Sequence, residues 1–254
     1  MEDQEKQILV DKRDGVWTIT LNRPQVLNAL TVEMFGLLRD VIVAATEEEE
    51  AHFLVLKGAG GNFCSGADLS VLGSLKEESQ AHEALTVIND LLTRLHQMPK
   101  PVIAAIDGVA VGAGLNLALH ADFVLAAKSA RLQEPFVQIG LTTDFGGTYL
   151  LPRLVGLAQA KRLALLADPI SGEEAEQMGL IYKAVPSDLL NQEVETLLAR
   201  LRKLPKQAYS VTKEGLNQSL QHDLGHMLAW EKEQQPALLQ HPEFAALIRA
   251  KMKR

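Results

Sequence analysis

Pro101-Val-Ile-Ala-Ala-Ile-Asp-Gly-Val-Ala-Val-Gly-Ala-Gly114 is the stretch on which the reading of this chain turns. The apolar run 102–106 has the length of a strand buried on both faces. Asp107-Gly108 ends it, residues 109–114 predict a loop of small residues, and residues 115–120 predict the start of a helix. A second stretch repeats the layout. The strand 53–56 runs through a Gly-rich segment into Phe63-Cys-Ser-Gly-Ala-Asp-Leu69. A helix start leaves backbone N–H groups without partners, and glycine lets another group approach that backbone closely. Two such turns facing each other would aim two N–H donors at one oxygen that gathers negative charge. Tight packing of helix on strand also demands glycine, and on the residues alone it is the stronger of the two explanations. A dinucleotide site is weaker still. Gly112-Ala-Gly114-Leu-Asn-Leu117 lacks the third glycine of that fingerprint, and no Gly-rich loop ends in Gly-Lys-Ser/Thr.

Outward from these turns, strands alternate with helices up to about residue 185, and helical pattern alone follows. That order predicts an α/β core over residues 1–186 and a helical C-terminal region over residues 187–254. Strands are expected at 8–10, 16–21, 123–126, 131–133 and 181–185. Helices are expected at 31–45, 77–98, 146–154 and 158–166, with a capping box at Ser171-Gly-Glu-Glu174 opening another.

Bulk properties exclude several classes. The 254 residues carry 32 acidic and 25 basic side chains, a formal net charge of -7, with no basic stripe of the kind that binds nucleic acid. The most apolar region, 101–127, is interrupted by Asp107, Asn116, His120, Asp122 and three glycines, so it reads as buried strand, turn and helix rather than a membrane span. The charged start Met1-Glu-Asp-Gln-Glu-Lys has no apolar core, so no signal peptide is expected and a cytoplasmic location is the default. Cys64 is the only cysteine, and the seven histidines show no metal-ligand spacing, so neither a disulfide nor a metal site is expected. Cys64 and Ser65 have no neighbouring histidine to activate them as nucleophiles, and Lys213 reads as a solvated lysine. Asp144 stands just before a helix, where capping and catalysis are equally good readings.

Four stretches in order resemble the enoyl-CoA hydratase/isomerase (crotonase) family and, within it, its 1,2-epoxyphenylacetyl-CoA isomerase-like members. They are Ile19-Thr-Leu-Asn-Arg-Pro with Asn28-Ala-Leu30; Phe63-Cys-Ser-Gly-Ala-Asp-Leu69; Gly108-Val-Ala-Val-Gly-Ala-Gly114 with Ala121-Asp122; and Gly140-Leu-Thr-Thr-Asp-Phe-Gly-Gly-Thr148 with Leu151-Pro-Arg-Leu. The resemblance implies a crotonase (ClpP-like) spiral of ββα units with a helical trimerisation region, giving a homotrimer or a dimer of trimers. It implies an acyl-CoA thioester substrate and no cofactor beyond the CoA that the substrate brings. It also implies an oxyanion hole from the backbone N–H groups of Ala67 and Ala113. Arg23, Val26, Ala29, Gly66, Asp68 and Leu69 would lie along the substrate groove, with Gly112, Gly114, Asn116 and Phe136 around the acyl group. The two glutamates of the family's hydratases fall on Asn116 and Phe136, neither of which is an acid or a base. Asp144 matches the aspartate of several isomerases, with Phe136 expected to raise its pKa. The resemblance therefore implies isomerisation through Asp144. A hydratase using a displaced carboxylate such as Glu134, and a non-catalytic acyl-CoA binder, are the alternatives.

Overall fold

The computed structural model describes residues 6–74 and 77–252, without the side chains of Leu69, Leu72 and Ser74. Its main sheet has the order β1-β2-β3-β4-β6-β9. β1 (Ile8–Arg13) and β2 (Val16–Leu21) form an antiparallel hairpin, and β3 (Phe53–Gly58), β4 (Val102–Ile106), β6 (Phe123–Ala127) and β9 (Lys183–Val185) continue in parallel. The second sheet, β5 (Val109–Val111), β7 (Arg131–Gln133) and β8 (Ile170–Ser171), is smaller. Residues 109–111, expected as loop, are thus a strand. Val109, Ala110 and Val111 pair with Arg131, Leu132 and Gln133, and Ala110 also bridges Cys64. β4 passes into β5 of the small sheet and β6 into β7, each ahead of the next helix, and the segment after β3 meets β5 through the Cys64–Ala110 bridge; this is the ββα spiral that the resemblance implied.

The side-chain period of two explains how the parallel strands bury both faces. Leu54, Leu56, Ala104, Ile106, Val124 and Ala126 point into the larger core, with α1 (Val32–Glu47) and with α3 (Glu78–Gln97), which follows the short α2 (Leu69–Ser74). Phe53, Val55, Ile103, Ala105 and Leu125 point the other way, against Leu190, Val194, Leu197, Leu198 and Leu201 of α7 (Leu190–Leu201). Each of these α7 side chains contributes about 1.5–3 kcal/mol relative to exposure, so α7 forms the second layer on the sheet.

Local signals set the helix ends. The Thr31 side chain accepts from Met34 N–H at the start of α1, and Glu77 and Gln80 form a capping box at the start of α3. Ser171 and Glu174 do the same for α6 (Gly172–Gln177). The two helices expected at 146–154 and 158–166 are the two halves of α5 (Gly147–Lys161), which breaks at the non-helical Gly156 (φ 73°, ψ 162°) and runs on into a π turn over Arg162–Leu166. The chain ends in α8 (Lys206–Ser219), α9 (Leu224–Gln240) and α10 (Pro242–Met252). Lys213 of α8 is not solvated. Its ammonium is buried and donates to Asp122 Oδ2 at 2.8 Å and to Lys100 O at 3.2 Å, tying α8 to the sheet. Among the described residues no helix is long and apolar enough to cross a membrane.

Candidate active site

The two Gly-rich turns lie against each other. The N–H groups of Phe63 and Cys64 both donate to Val109 O, at 3.0 and 2.9 Å, and Val111 N–H donates to Cys64 O at 2.9 Å. α4 (Ala113–Leu119) follows immediately. Gly114 sits so close to the first turn that a Cβ there would lie 2.6 Å from Cys64 O and 2.8 Å from Cys64 Sγ. A Cβ on Gly66 would lie 3.9 Å from Ala113 N, which brings the two expected donor segments to one place.

Both expected donors lie outside the neighbouring hydrogen-bond ladders. The parallel bridge between Leu30 and Ala67 uses Leu30 N–H to Gly66 O and Asp68 N–H to Leu30 O, so Ala67 N–H takes no part in it. The first bond of the α4 ladder runs from Asn116 N–H to Gly112 O, leaving Ala113 N–H ahead of it. Gly112 itself has φ 54° and ψ -122°, a combination open to glycine alone. Phe136 packs its ring about that glycine, 3.5 Å from where a Cβ would be.

Residues 23–29 and 68 pack together beside these turns. Arg23 Nη1 donates to Asp68 Oδ2 and to Ala29 O, both at 2.7 Å. Asp68 is held at about 2 by the Ser70 side chain first and the Arg23 guanidinium second. The two groups expected along the substrate groove are therefore committed to each other. Val26 is exposed, Ala29 is buried, and the Leu69 side chain lies outside the described atoms. Cys64 is buried and its thiol is pushed up to about 12 by that burial, which agrees with an unreactive cysteine.

One turn into α4 lies a cluster of buried polar groups. Asn116 is fully buried, and its Nδ2 donates to Glu134 Oε2 at 3.2 Å and to Asp144 O at 2.9 Å. Asn116 Oδ1, Glu134 Oε1, Thr143 Oγ1 and Asp144 Oδ1 are buried without a hydrogen-bond partner. Buried polar atoms gathered without partners in one place are a feature of catalytic sites. Asp144 does not cap α5. The N-cap residue is Gly146, with no side-chain cap bond. Burial raises the Asp144 carboxyl to about 6. Burial also raises Glu134, to about 8, helped by the charge of Asp144 and opposed by the Asn116 bond.

Glu134 carried little weight in the linear reading, because it stands two residues before the family position at Phe136. Its signal was the alternation along β7. Arg131 is exposed and Leu132 buried, so Glu134 falls on the inward face with Leu132. His120 was also missed as a partner. It lies four residues after Asn116 on the same face of α4. Its Nε2 meets Phe145 O at 3.0 Å, so Asn116 and His120 hold the successive carbonyls of Asp144 and Phe145. That bond places the proton on Nε2, leaving the buried Nδ1 without a partner.

Burial, with a smaller contribution from His96, lowers His120 to about 4. In the unfolded chain it titrates near its ordinary 6.5, so between these values the unfolded state binds the extra proton and stability falls as the pH drops. His120→Gln is expected to remove up to about 3 kcal/mol of that acid sensitivity, read as the change in urea unfolding free energy between pH 7 and pH 4 against wild type. Equal slopes for the two proteins would contradict it.

Among the described residues no group of three or more His, Cys, Asp or Glu is placed to hold a metal ion.

This spiral, with paired turns above a helix start, is the fold of the crotonases. The structure aligns with an enoyl-CoA hydratase from Bacillus anthracis at a TM-score of 0.92 and 32% identity, over 98% of this chain and 97% of the other. A putative enoyl-CoA hydratase from Streptomyces coelicolor A3(2) aligns at 0.93 and 35% identity, over 98% and 92%. The chain belongs to the enoyl-CoA hydratase/isomerase family, whose model matches residues 11–250. Among curated relatives it is 40% identical to a probable enoyl-CoA hydratase of Rhodobacter capsulatus, over 93% of this chain and 91% of the relative. It is 37% identical to the 1,2-epoxyphenylacetyl-CoA isomerase of Escherichia coli, over 90% and 88%.

Proposed function

We propose that this protein is an acyl-CoA isomerase that shifts a proton and a double bond, or opens an aromatic-ring epoxide, through a thioester enolate. One observation carries the reading. Asp144 is a mostly buried carboxylate with an unpartnered oxygen, raised to about 6 and tied through Asn116 to the helix that begins at Ala113. Such a group is a base at neutral pH and a usable acid once protonated.

In a 3-enoyl thioester, Asp144 takes a proton from the carbon next to the carbonyl. The C–H electron pair becomes the enolate double bond, and the carbonyl π pair moves onto oxygen between the N–H groups of Ala67 and Ala113. Reprotonation at the far end of the conjugated system leaves a 2-enoyl thioester. Arg23, Val26, Ala29, Gly66, Asp68 and Leu69 form the substrate groove in this reading, and Gly112, Gly114, Asn116 and Phe136 surround the acyl group. Asn116 and Phe136 supply no carboxylate for activating water. The apolar Leu216, Leu224, Leu228 and Leu239 exposed on α8 and α9 fit assembly into a homotrimer or a dimer of trimers. The cytoplasm is the proposed location.

A second reading has its own support. Glu134 is buried in the same cluster, so a hydratase with a displaced carboxylate is the alternative. Purified protein offered 3-enoyl-CoA and 2-enoyl-CoA separates the two. Conversion of the 3-enoyl to the 2-enoyl thioester, with slow or no hydration of the latter, is the expected result. Rapid water addition to 2-enoyl-CoA with no double-bond shift would overturn it.

A further inference from the structure

Glu134 follows β7 directly and is 1% exposed. Its one hydrogen bond is the neutral amide of Asn116 at 3.2 Å, and no ion pair reaches it among the described residues. A carboxylate buried with one neutral donor and no cation is in its least stable form, and taking up a proton removes the penalty. The neighbourhood also lacks donors. Asn116 Oδ1 and ionised Asp144 Oδ1 only accept, and Thr143 Oγ1 brings a single O–H. A proton on Glu134 supplies what the cluster is short of. Burial and the charge of Asp144 hold this carboxyl at about 8, above Asp144 at about 6. Near neutral pH the site then contains one carboxylate and one carboxylic acid, and Asn116 links the acid, Glu134, to the backbone carbonyl of Asp144. Two carboxyl groups pushed apart in this way are the arrangement that divides acid from base work.

We propose that Glu134 is a second catalytic residue, the acid partner of Asp144, which delivers a proton to the enolate at a different carbon from the one Asp144 deprotonates. The proposal rests on the isomerase reading of this site. The balance is closed. Asp144 gains the substrate proton, and the C–H pair enters the enolate. The distal carbon of the enolate takes the proton of Glu134, whose O–H pair stays on the carboxylate. A proton passing from Asp144 to Glu134, directly or through solvent, restores the starting state, and no other reactant is consumed.

The test is the origin of the proton in the product. In deuterium oxide the wild type is expected to place close to one solvent deuterium at the newly protonated carbon per turnover, because the Glu134 proton has exchanged before the substrate arrives. Glu134→Gln preserves size and an acceptor for Asn116 but has no acid. Its turnover is expected to fall 100-fold or more, and its remaining product should keep the substrate's own hydrogen, returned by Asp144. Glu134→Asp, which keeps an acid on a shorter stem, should restore deuterium incorporation at reduced rate and covers the case in which Glu134→Gln folds poorly. Unchanged deuterium content in Glu134→Gln, at whatever rate, would overturn the proposal and leave Glu134 a structural acid. Absence of solvent deuterium from the wild-type product would overturn it equally. A wild type that shifts no double bond marks failure of the isomerase reading itself and takes the proposal with it.

Discussion

Asp144→Asn is expected to reduce isomerase turnover by about 10²–10⁴, the contribution of a positioned general base. Asparagine matches aspartate in shape, and the Asn116 bond goes to the backbone carbonyl of residue 144, so the turn should survive the change. What disappears is the ability to accept a proton from carbon. Substrate affinity should change little, because the lost interaction develops during the reaction and not on binding. The pH profile gives an independent check. With Asp144 raised to about 6, the wild-type rate should fall tenfold per unit as the pH drops below that value and the base becomes protonated. A wild-type profile that shows no acid limb near 6, or an Asp144→Asn variant with more than a tenth of normal turnover, would remove Asp144 from the reaction.

Gly114→Ala should be nearly as damaging by a different route. The added methyl would lie 2.6 Å from Cys64 O, 2.7 Å from Cys64 Cβ and 2.8 Å from Cys64 Sγ. Backbone and Cβ atoms cannot rotate out of the way, so α4 must retreat from the first turn. That displaces Ala113 N–H relative to Ala67 N–H. Loss of one donor of such a pair costs about 10²–10³ in turnover, and overpacking adds about 1–3 kcal/mol of destabilisation. Gly36→Ala is the matched control. A Cβ at Gly36 in α1 meets nothing within 4 Å, and alanine favours helix by up to about 1 kcal/mol. Gly114→Ala with normal turnover at a temperature where it is folded would mean that the closeness of the turns serves packing only.

The central strands of the main sheet were legible in the sequence because they are short apolar runs bounded by turn residues, as at 53–56 and 102–106. The strand at Val109–Val111 was not legible. Its partners, Cys64 and Arg131–Gln133, are remote in sequence, and three small residues beside glycines carry no local signal. Lys213 was misread for the same reason, since its acidic partner Asp122 lies 91 positions away. The donor pair at Ala67 and Ala113 was named through family likeness, because glycine alone did not distinguish a hole from tight packing. The residues alone left Asp144 between capping and catalysis; family likeness favoured catalysis, and the structure places the cap at Gly146. Glu134 was undervalued because linear comparison counts positions, whereas the strand decides which side chains face inward. The raised pKa of Asp144 comes from burial, the cause expected of an apolar surrounding.

The stitched pair of turns has a consequence for how such a protein changes over evolutionary time. In the proposed site the groups that receive the oxyanion are main-chain amides, and their spacing is kept by main-chain hydrogen bonds between residues 63–64 and 109–111. Away from the close contact at Gly114, side chains can be exchanged around them without altering that chemistry. In the same proposal the choice of reaction rests with side chains at positions 116, 134, 136 and 144, three of which are gathered into one polar cluster. The scaffold thereby separates a fixed capacity to hold a reactive intermediate from a freely editable decision about what becomes of it. A handful of substitutions can redirect the outcome while the intermediate's cradle stays intact.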